Sequence, residues 1–405
     1  MAHPLRKRLG NAAFAFRGYN VTNMGRSLEL LEHPLYAPVV TEILDQASAI
    51  CKKACNREVN LVERVKAKAE SSISSFPEDV SIIVAMSVAQ MACLERFFDI
   101  KVQNSKLLLG YSIGELAANI ITGMFSMEEI LPLPLVLSAE AASLAEEVTM
   151  GIVFTRSQSI KLSDVRRLCV KISSEGNGLI APSTHLAPNA CLILAEGDTL
   201  DRFQKLMKEE ISDKLLLRRN KNKWPPLHTP ILWKKSIPNR GALSLFKIQG
   251  GFVAPKPPIV SCVTGKPSYN EWNSRDLLIQ WIDQPQLLWD ALYYLLESGI
   301  DLVIHVGPEP NLIPNTMNRI SSNVADQIKK GLIGGFGKSV FAGIARRPWL
   351  SSLFVSQSAV LRAPFVQHIV LEDWLLENTP GSKTETTPAP AKEVVPNAAR
   401  SVEPV

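Results

Sequence analysis

The chain has 405 residues, 46% of them hydrophobic and 20% charged, with a formal net charge of +5. So long and apolar a chain can bury a large core, and two folding units are expected. The longest apolar run, Ile82–Leu94, is broken by Ser87 and Gln90, which argues against a membrane span, and six scattered cysteines suit free thiols in a reducing cytoplasm.

In chain order, Met1–Arg8 is basic like the start of a signal segment. Only Ala12–Phe16 follows as an apolar run, too short for a signal's apolar region. Ala13–Phe16 reads instead as a buried strand. Apolar periodicity predicts helices around Val39–Lys53 and Ile82–Phe97. Cys51 and Cys55 fall on or beside the first helix with no second ligand pair, so they read as structural and not as a metal site. A second buried strand, Lys106–Leu109, runs directly into Gly110-Tyr111-Ser112-Ile113-Gly114 and then into good helix formers.

That last pattern predicts a strand, a sharp turn and a helix with Ser112 at the apex. Glycines at 110 and 114 let strand and helix approach closely. The hydroxyl of Ser112 is thereby exposed beside the first N–H groups of a helix, which favour negative charge where an oxyanion forms. The reading is a nucleophile elbow. A serine nucleophile needs a base, and the chain offers His3, His33, His185, His228, His305 and His368. His3 lies in the basic start, His33 and His185 lie in loop-like surroundings, and His368 lies in a strand-like run. His228 differs, because Pro225, Pro226 and Pro230 stiffen its loop and would hold the imidazole ready.

Beyond the elbow, Gly151–Thr155, Leu162–Ser173, Cys191–Ala195 and Thr199–Glu210 read as a small α+β unit. The strands Ile259–Val263 and Leu302–Val306 and the helix Leu287–Glu297 complete an α/β fold with a mainly parallel sheet. Gly331–Ser339 imitates a phosphate-binding loop, but Leu332 stands where glycine is required and no strand precedes it, so it reads as a connection. Arg347–Leu350 and Ala363–Leu376 carry enough aromatics to fold or dock. From Thr379 onward, Pro, Thr, Lys, Glu and Ala dominate, and residues 379–405 are expected to be disordered.

Four landmarks in order now identify a likeness: Phe14–Gly18 with Met24-Gly25; Gly110–Glu115; Pro226-Leu227-His228-Thr229-Pro230; and Pro258–Pro267 followed by Gln284-Pro285 and Val306-Gly307-Pro308. The chain resembles the malonyl-CoA:acyl carrier protein transacylase family, which includes the acyltransferase domains of fatty acid and polyketide synthases. The likeness covers about residues 12–320. It implies an α/β-hydrolase-like core formed by 1–150 and 217–330, with a small ferredoxin-like subdomain inserted at 151–216. Residues 331–378 form an extension of unassigned role.

The resemblance also implies chemistry. Ser112 would attack the thioester of an acyl-coenzyme A, His228 would take its proton, and the acyl group would pass to the phosphopantetheine thiol of an acyl carrier protein. The backbone N–H groups of Ile113 and Tyr19 would form the oxyanion hole, and a main-chain carbonyl at Trp281 would orient the histidine. Coenzyme A thioester is then substrate, no resident cofactor is expected, and neither nucleic acid nor membrane is a partner. Acyl carrier proteins are acidic, so Lys214, Arg218, Arg219, Lys221 and Lys223 near the histidine loop read as a docking rim.

Three departures bear on substrate. Tyr111 replaces the family's usual histidine before the nucleophile. The opening loop, Arg17-Gly18-Tyr19-Asn20, is about two residues short. The arginine that pairs with a malonyl carboxylate aligns with Ala139, and no lysine or arginine occurs between Lys106 and Arg156. A buried carboxylate without a cation costs about several kcal/mol. An uncharged acyl group, a hydrolase acting on acyl thioesters, and a cation from Arg17 or Arg156 all remain open, as does a silent homologue that only binds carrier protein.

Overall fold

The segment Ala12-Ala13-Phe14-Ala15-Phe16 explains the centre of the molecule. Its side chains alternate, so Phe14 and Phe16 enter one core and Ala13 and Ala15 the other. A strand buried on both faces belongs in the middle of a parallel sheet. In the computed structural model, residues 4–69, 71–156, 159–333 and 357–380 are described. His3, Arg347–Leu350 and residues 381–405 of the expected disordered tail lie outside them.

The strands are β1 (Ala12–Phe16), β2 (Leu107–Gly110), β3 (Val148–Phe154), β4 (Ile180–Ala187), β5 (Ala190–Glu196), β6 (Leu216–Arg219), β7 (Ile259–Ser261), β8 (Lys266–Pro267), β9 (Leu302–Val306) and β10 (Gln367–Val370). One sheet has the order β10-β9-β1-β2-β7-β8. Its pairings are parallel except for the antiparallel β7–β8 edge. The other sheet, β4-β5-β3-β6, is antiparallel. The expected mixture of a mainly parallel sheet with a second unit is therefore present.

On one face of the parallel sheet lie the helices Ala37–Cys55, Phe76–Phe98 and Ile113–Ile121, which bury Leu44, Ile83 and Leu116 with Phe14 and Phe16. On the other face Leu288–Glu297 and Leu312–Ile333 pack Leu292 and Ile313 over Ala13 and Ala15. The apolar helix predicted at 82–97 spans Phe76–Phe98 and is largely buried within the fold. Its one buried carboxylate, Asp79, pairs with Arg64 at 2.8 Å.

The antiparallel unit runs β-α-β-β-α-β, with helices Leu162–Ser173 and Thr199–Glu210 packing Val165 and Phe203 over Val153 and Ile193. His185, expected in a loop, stands on β4. Pro182 and Pro188 give the stretch a loop-like sequence, but β4 accommodates Pro182 at a register shift against β5, where a proline costs no ladder bond. The stretch around His368 does form a strand, β10, at the edge beside β9.

Candidate active site

The elbow forms as its sequence requires. β2 ends at Gly110, the helix starts at Ile113, and Ser112 between them has φ +52° and ψ −120°. Such a backbone is costly for a residue with a side chain, on the order of 1–3 kcal/mol. A Cβ on Gly110 would overlap the backbone of Glu115, and one on Gly114 would overlap the carbonyl oxygen of Phe16. Both glycines are thus dictated by packing.

His228 also has a positive φ, +62°. Its loop is fixed at three points: the His228 N–H donates to the Ile282 carbonyl at 2.9 Å, Thr229 Oγ1 donates to the Pro226 carbonyl at 2.6 Å, and Ser183 Oγ donates to the Leu227 carbonyl at 3.0 Å. The consequence is a 2.7 Å hydrogen bond between Ser112 Oγ and His228 Nε2. On the far side of the ring, His228 Nδ1 lies 2.6 Å from the Trp281 carbonyl. A carbonyl only accepts, so Nδ1 carries the proton and Nε2 presents its lone pair to the serine hydroxyl. The Trp281 indole Nε1 donates in turn to the Ser112 carbonyl at 3.0 Å. One residue therefore braces both members of the pair.

Ser112 and His228 are both buried. Burial lowers the His228 pKa to about 4, the bond to the Trp281 carbonyl opposing it. The imidazole is thus neutral at physiological pH, as a proton acceptor must be. Glu115, one turn into the helix, is fully buried and raised to about 7 by desolvation. Its carboxylate accepts from Tyr269 Oη at 2.7 Å and from the Cys262 N–H at 3.1 Å, which ties the elbow helix to the end of β7.

The backbone N–H groups of Ile113 and Tyr19 have no acceptor among the described residues. Tyr19 sits half-buried, edge-on to Phe76 and Trp224. Gly18 abuts the ring of Tyr111, and Tyr111 Oη lies 3.1 Å from Thr184 Oγ1 on β4. Ala139, aligned with the substrate pocket, is instead exposed, at the start of the helix Ser138–Ala145. The inward residues of that helix are Ser138, Ala141, Leu144 and Ala145, none of them basic. Arg17 is fully buried, but its guanidinium donates to the carbonyls of Gly18, Pro308 and Thr22 and to Asn23 Oδ1. Arg156 is exposed.

The five basic residues of the expected rim are all exposed on or next to β6. Arg219 pairs with Asp201, and Lys223 reaches Glu146. Lys214, Arg218 and Lys221 form no ion pair among the described residues.

Gln286 escaped sequence reading. It is fully buried and its Oε1 accepts the Ser112 N–H at 3.3 Å. Its backbone is clamped to β4 by Gln286 N to Ser183 O and His185 N to Gln286 O, each 2.8 Å. His185 itself bonds Asp290 Oδ2 at 2.9 Å. Only its place one residue beyond Gln284-Pro285 hinted at this, and nothing local separates it from any other loop glutamine.

A mainly parallel sheet carrying a strained serine hydrogen-bonded to a histidine, with an antiparallel sheet beside the pair, defines an α/β architecture. No family model matches the chain. Its fold is that of the malonyl-CoA:acyl carrier protein transacylases, as the sequence landmarks led one to expect. The transacylase of Xanthomonas oryzae pv. oryzae is 19% identical, covering 79% of this chain and 92% of its own, with a TM-score of 0.61. A malonyl-transacylase in complex with its type II polyketide synthase acyl-carrier protein is 19% identical over 76% of this chain and 94% of that one, with a TM-score of 0.59. Among curated sequences, 6-methylsalicylic acid synthase of Penicillium terrestre is 22% identical over 258 residues, 64% of this chain. The match spans only 14% of that synthase.

Proposed function

We propose that the chain is an acyltransferase that moves an acyl group from coenzyme A to an acyl carrier protein through an acyl-serine. The observation that carries this is the 2.7 Å Ser112–His228 bond, with Nδ1 committed to the Trp281 carbonyl. In this reading the Ser112 oxygen bonds the thioester carbon while its proton goes to His228 Nε2. The oxyanion is held by the N–H groups of Ile113 and Tyr19. Collapse breaks the carbon–sulfur bond, and coenzyme A leaves as the thiol with the proton from His228. The carrier-protein thiol then gives its proton to His228 Nε2 and its sulfur bonds the acyl carbon; the ester carbon–oxygen bond breaks, His228 returns the proton to Ser112 Oγ, and the carrier protein leaves acylated.

For the acyl group we favour an uncharged one over malonyl. Arg17 spends its donors on the opening loop, Ala139 brings no cation, and the lining near Ser112 is neutral: Gln286, Tyr111 and Thr184. We read the antiparallel unit as the ferredoxin-like subdomain roofing the cleft, and the β6 edge as the face met by the carrier protein.

The test is intact-protein mass spectrometry after incubation with malonyl-, acetyl- and octanoyl-CoA. An adduct on Ser112 that passes to a carrier-protein thiol is the expected result. Loss of the acyl group to water at the same rate with or without carrier protein would identify a hydrolase instead. Carrier-protein binding with no adduct from any thioester would leave a silent homologue.

A further inference from the structure

The C-terminal strand and helix lie beyond the likeness read from the sequence, yet they reach the loop that carries Tyr19. β10 pairs with β9, and the helix Leu371–Glu377 follows at once. Leu371 and Leu375 are fully buried, Tyr36 Oη donates to the Leu375 carbonyl at 2.9 Å, and Trp374 packs on Phe98 at 4.7 Å. The first turn of this helix carries Glu372, which is 1% exposed. Its Oε2 accepts the Arg26 N–H at 3.0 Å and its Oε1 accepts the Glu309 N–H at 3.1 Å.

Those two amides belong to the two segments that fix the opening loop. Arg26 ends that loop. Glu309 follows Pro308, whose carbonyl receives the Arg17 guanidinium at the loop's other end. Arg17 Nε donates to the Gly18 carbonyl at 2.8 Å, and the Arg17 N–H donates to the Val306 carbonyl at 3.2 Å. Gly25, at φ +47°, has no room for a Cβ against Glu309 N and the Glu372 carboxylate. Tyr19 sits between the two anchors.

We propose that Glu372 is a positioning residue for the acyl-transfer reaction: its carboxylate pins one end of the loop that aims the Tyr19 N–H at the oxyanion directly, at Arg26, and the other through the Pro308-Glu309 segment that holds Arg17. This rests on the acyl-enzyme reading above. The C-terminal segment then serves as a brace behind the reacting centre, and a carboxylate is required because one group must accept from two amides at once. Protonation would replace one acceptor with a donor and release an anchor. The charged groups around Glu372 are Glu309, Asp373, Arg26 and, beyond Glu309, Arg17. Burial raises Glu372 to about 7, and Glu309 and Asp373 add to the rise.

The experiment measures acyl-Ser112 formation by the full chain, using acetyl-, malonyl- or octanoyl-CoA, against thioester concentration and pH. Glu372→Gln is expected to lower the saturated rate by on the order of ten- to a hundredfold, with half-saturation within about twofold. It should also shrink a partial step near pH 7 that the wild type shows, what remains belonging to Glu115. Asp373→Asn, which loses the surface ion pair of the same helix with Arg26 and one contribution to the rise of Glu372, should keep the rate and move the step to lower pH without removing it. Equal losses in the two variants, or a Glu372→Gln rate within twofold of wild type, would overturn the proposal.

Amide hydrogen exchange of the wild type tests the same coupling without turnover or mutation. Protection of residues 17–26, corrected for intrinsic rate, should fall between pH 8 and pH 6 while that of 12–16 holds. Unchanged protection overturns the inference. A wild type that takes no acyl group defeats the transfer reading, and the exchange result still decides whether Glu372 governs the loop.

Discussion

At the scale of single residues, the Ser112–His228 pair rests on two positive-φ backbones and on the carbonyls of Trp281 and Ser112. Ser112→Ala should abolish the acyl adduct, and His228→Ala should slow its formation by on the order of a thousandfold or more, both read by time-resolved intact mass. His228 is lowered from 6.5 to about 4 by burial, and only the neutral ring accepts a proton. The final acid limb of the acylation rate should therefore fall near pH 4, with the rate dropping tenfold per unit below it; a limb at 6.5 in the Glu372→Gln protein would contradict the buried geometry. Gln286→Leu leaves the buried Ser112 N–H without its acceptor, at about 1–3 kcal/mol. Thermal melting should register that loss. Ser112 and His228 were legible because each sits in a short local signature. Gln286 was not, since its importance comes from a contact with a residue 174 positions away.

At the scale of elements, the elbow helix is locked to the parallel sheet by close backbone approach. Gly114→Ala drives a Cβ into the carbonyls of Phe16 and Arg17. It should destabilise the chain by about 1–3 kcal/mol or more, seen as a lower urea midpoint at unchanged slope. Tyr111→Phe removes only a hydroxyl pair with Thr184 and should cost about 1 kcal/mol. The central strands and long helices were readable from alternation and period. β4 was not, because Pro182 and Pro188 look like loop punctuation and the strand's role is tertiary. Its residues Ser183, Thr184 and His185 contact, in turn, Leu227 before His228, Tyr111 before Ser112, and Asp290. No periodicity encodes such contacts.

At the scale of the whole molecule, the basic edge at β6 and the buried pair are separate assets. Reversing Lys214, Arg218 and Lys221 to Glu should slow carrier-protein association by about tenfold and flatten its salt dependence. Acyl loading from coenzyme A should hold within about twofold, since none of the three touches the Ser112–His228 bond. Stopped-flow association at several ionic strengths would check this. The overall class of fold was legible because strands and helices alternate along the sequence. That Ala363–Leu376 would fold or dock was legible from its aromatics; where it docks was not, since an edge strand and a short helix acquire meaning only from the sheet they meet.

The central place of β1 has a consequence for how the molecule is made. Its neighbours are β2, about ninety residues later, and β9, residues 302–306. A growing chain emerging from the ribosome holds its own middle strand half-paired until nearly three hundred further residues exist, and closing so long a loop is a slow event. Over that interval the β1 edge that will meet β9 and the face carrying Ala13 and Ala15 stay uncovered, so this strand edge is the one most in need of protection from aggregation.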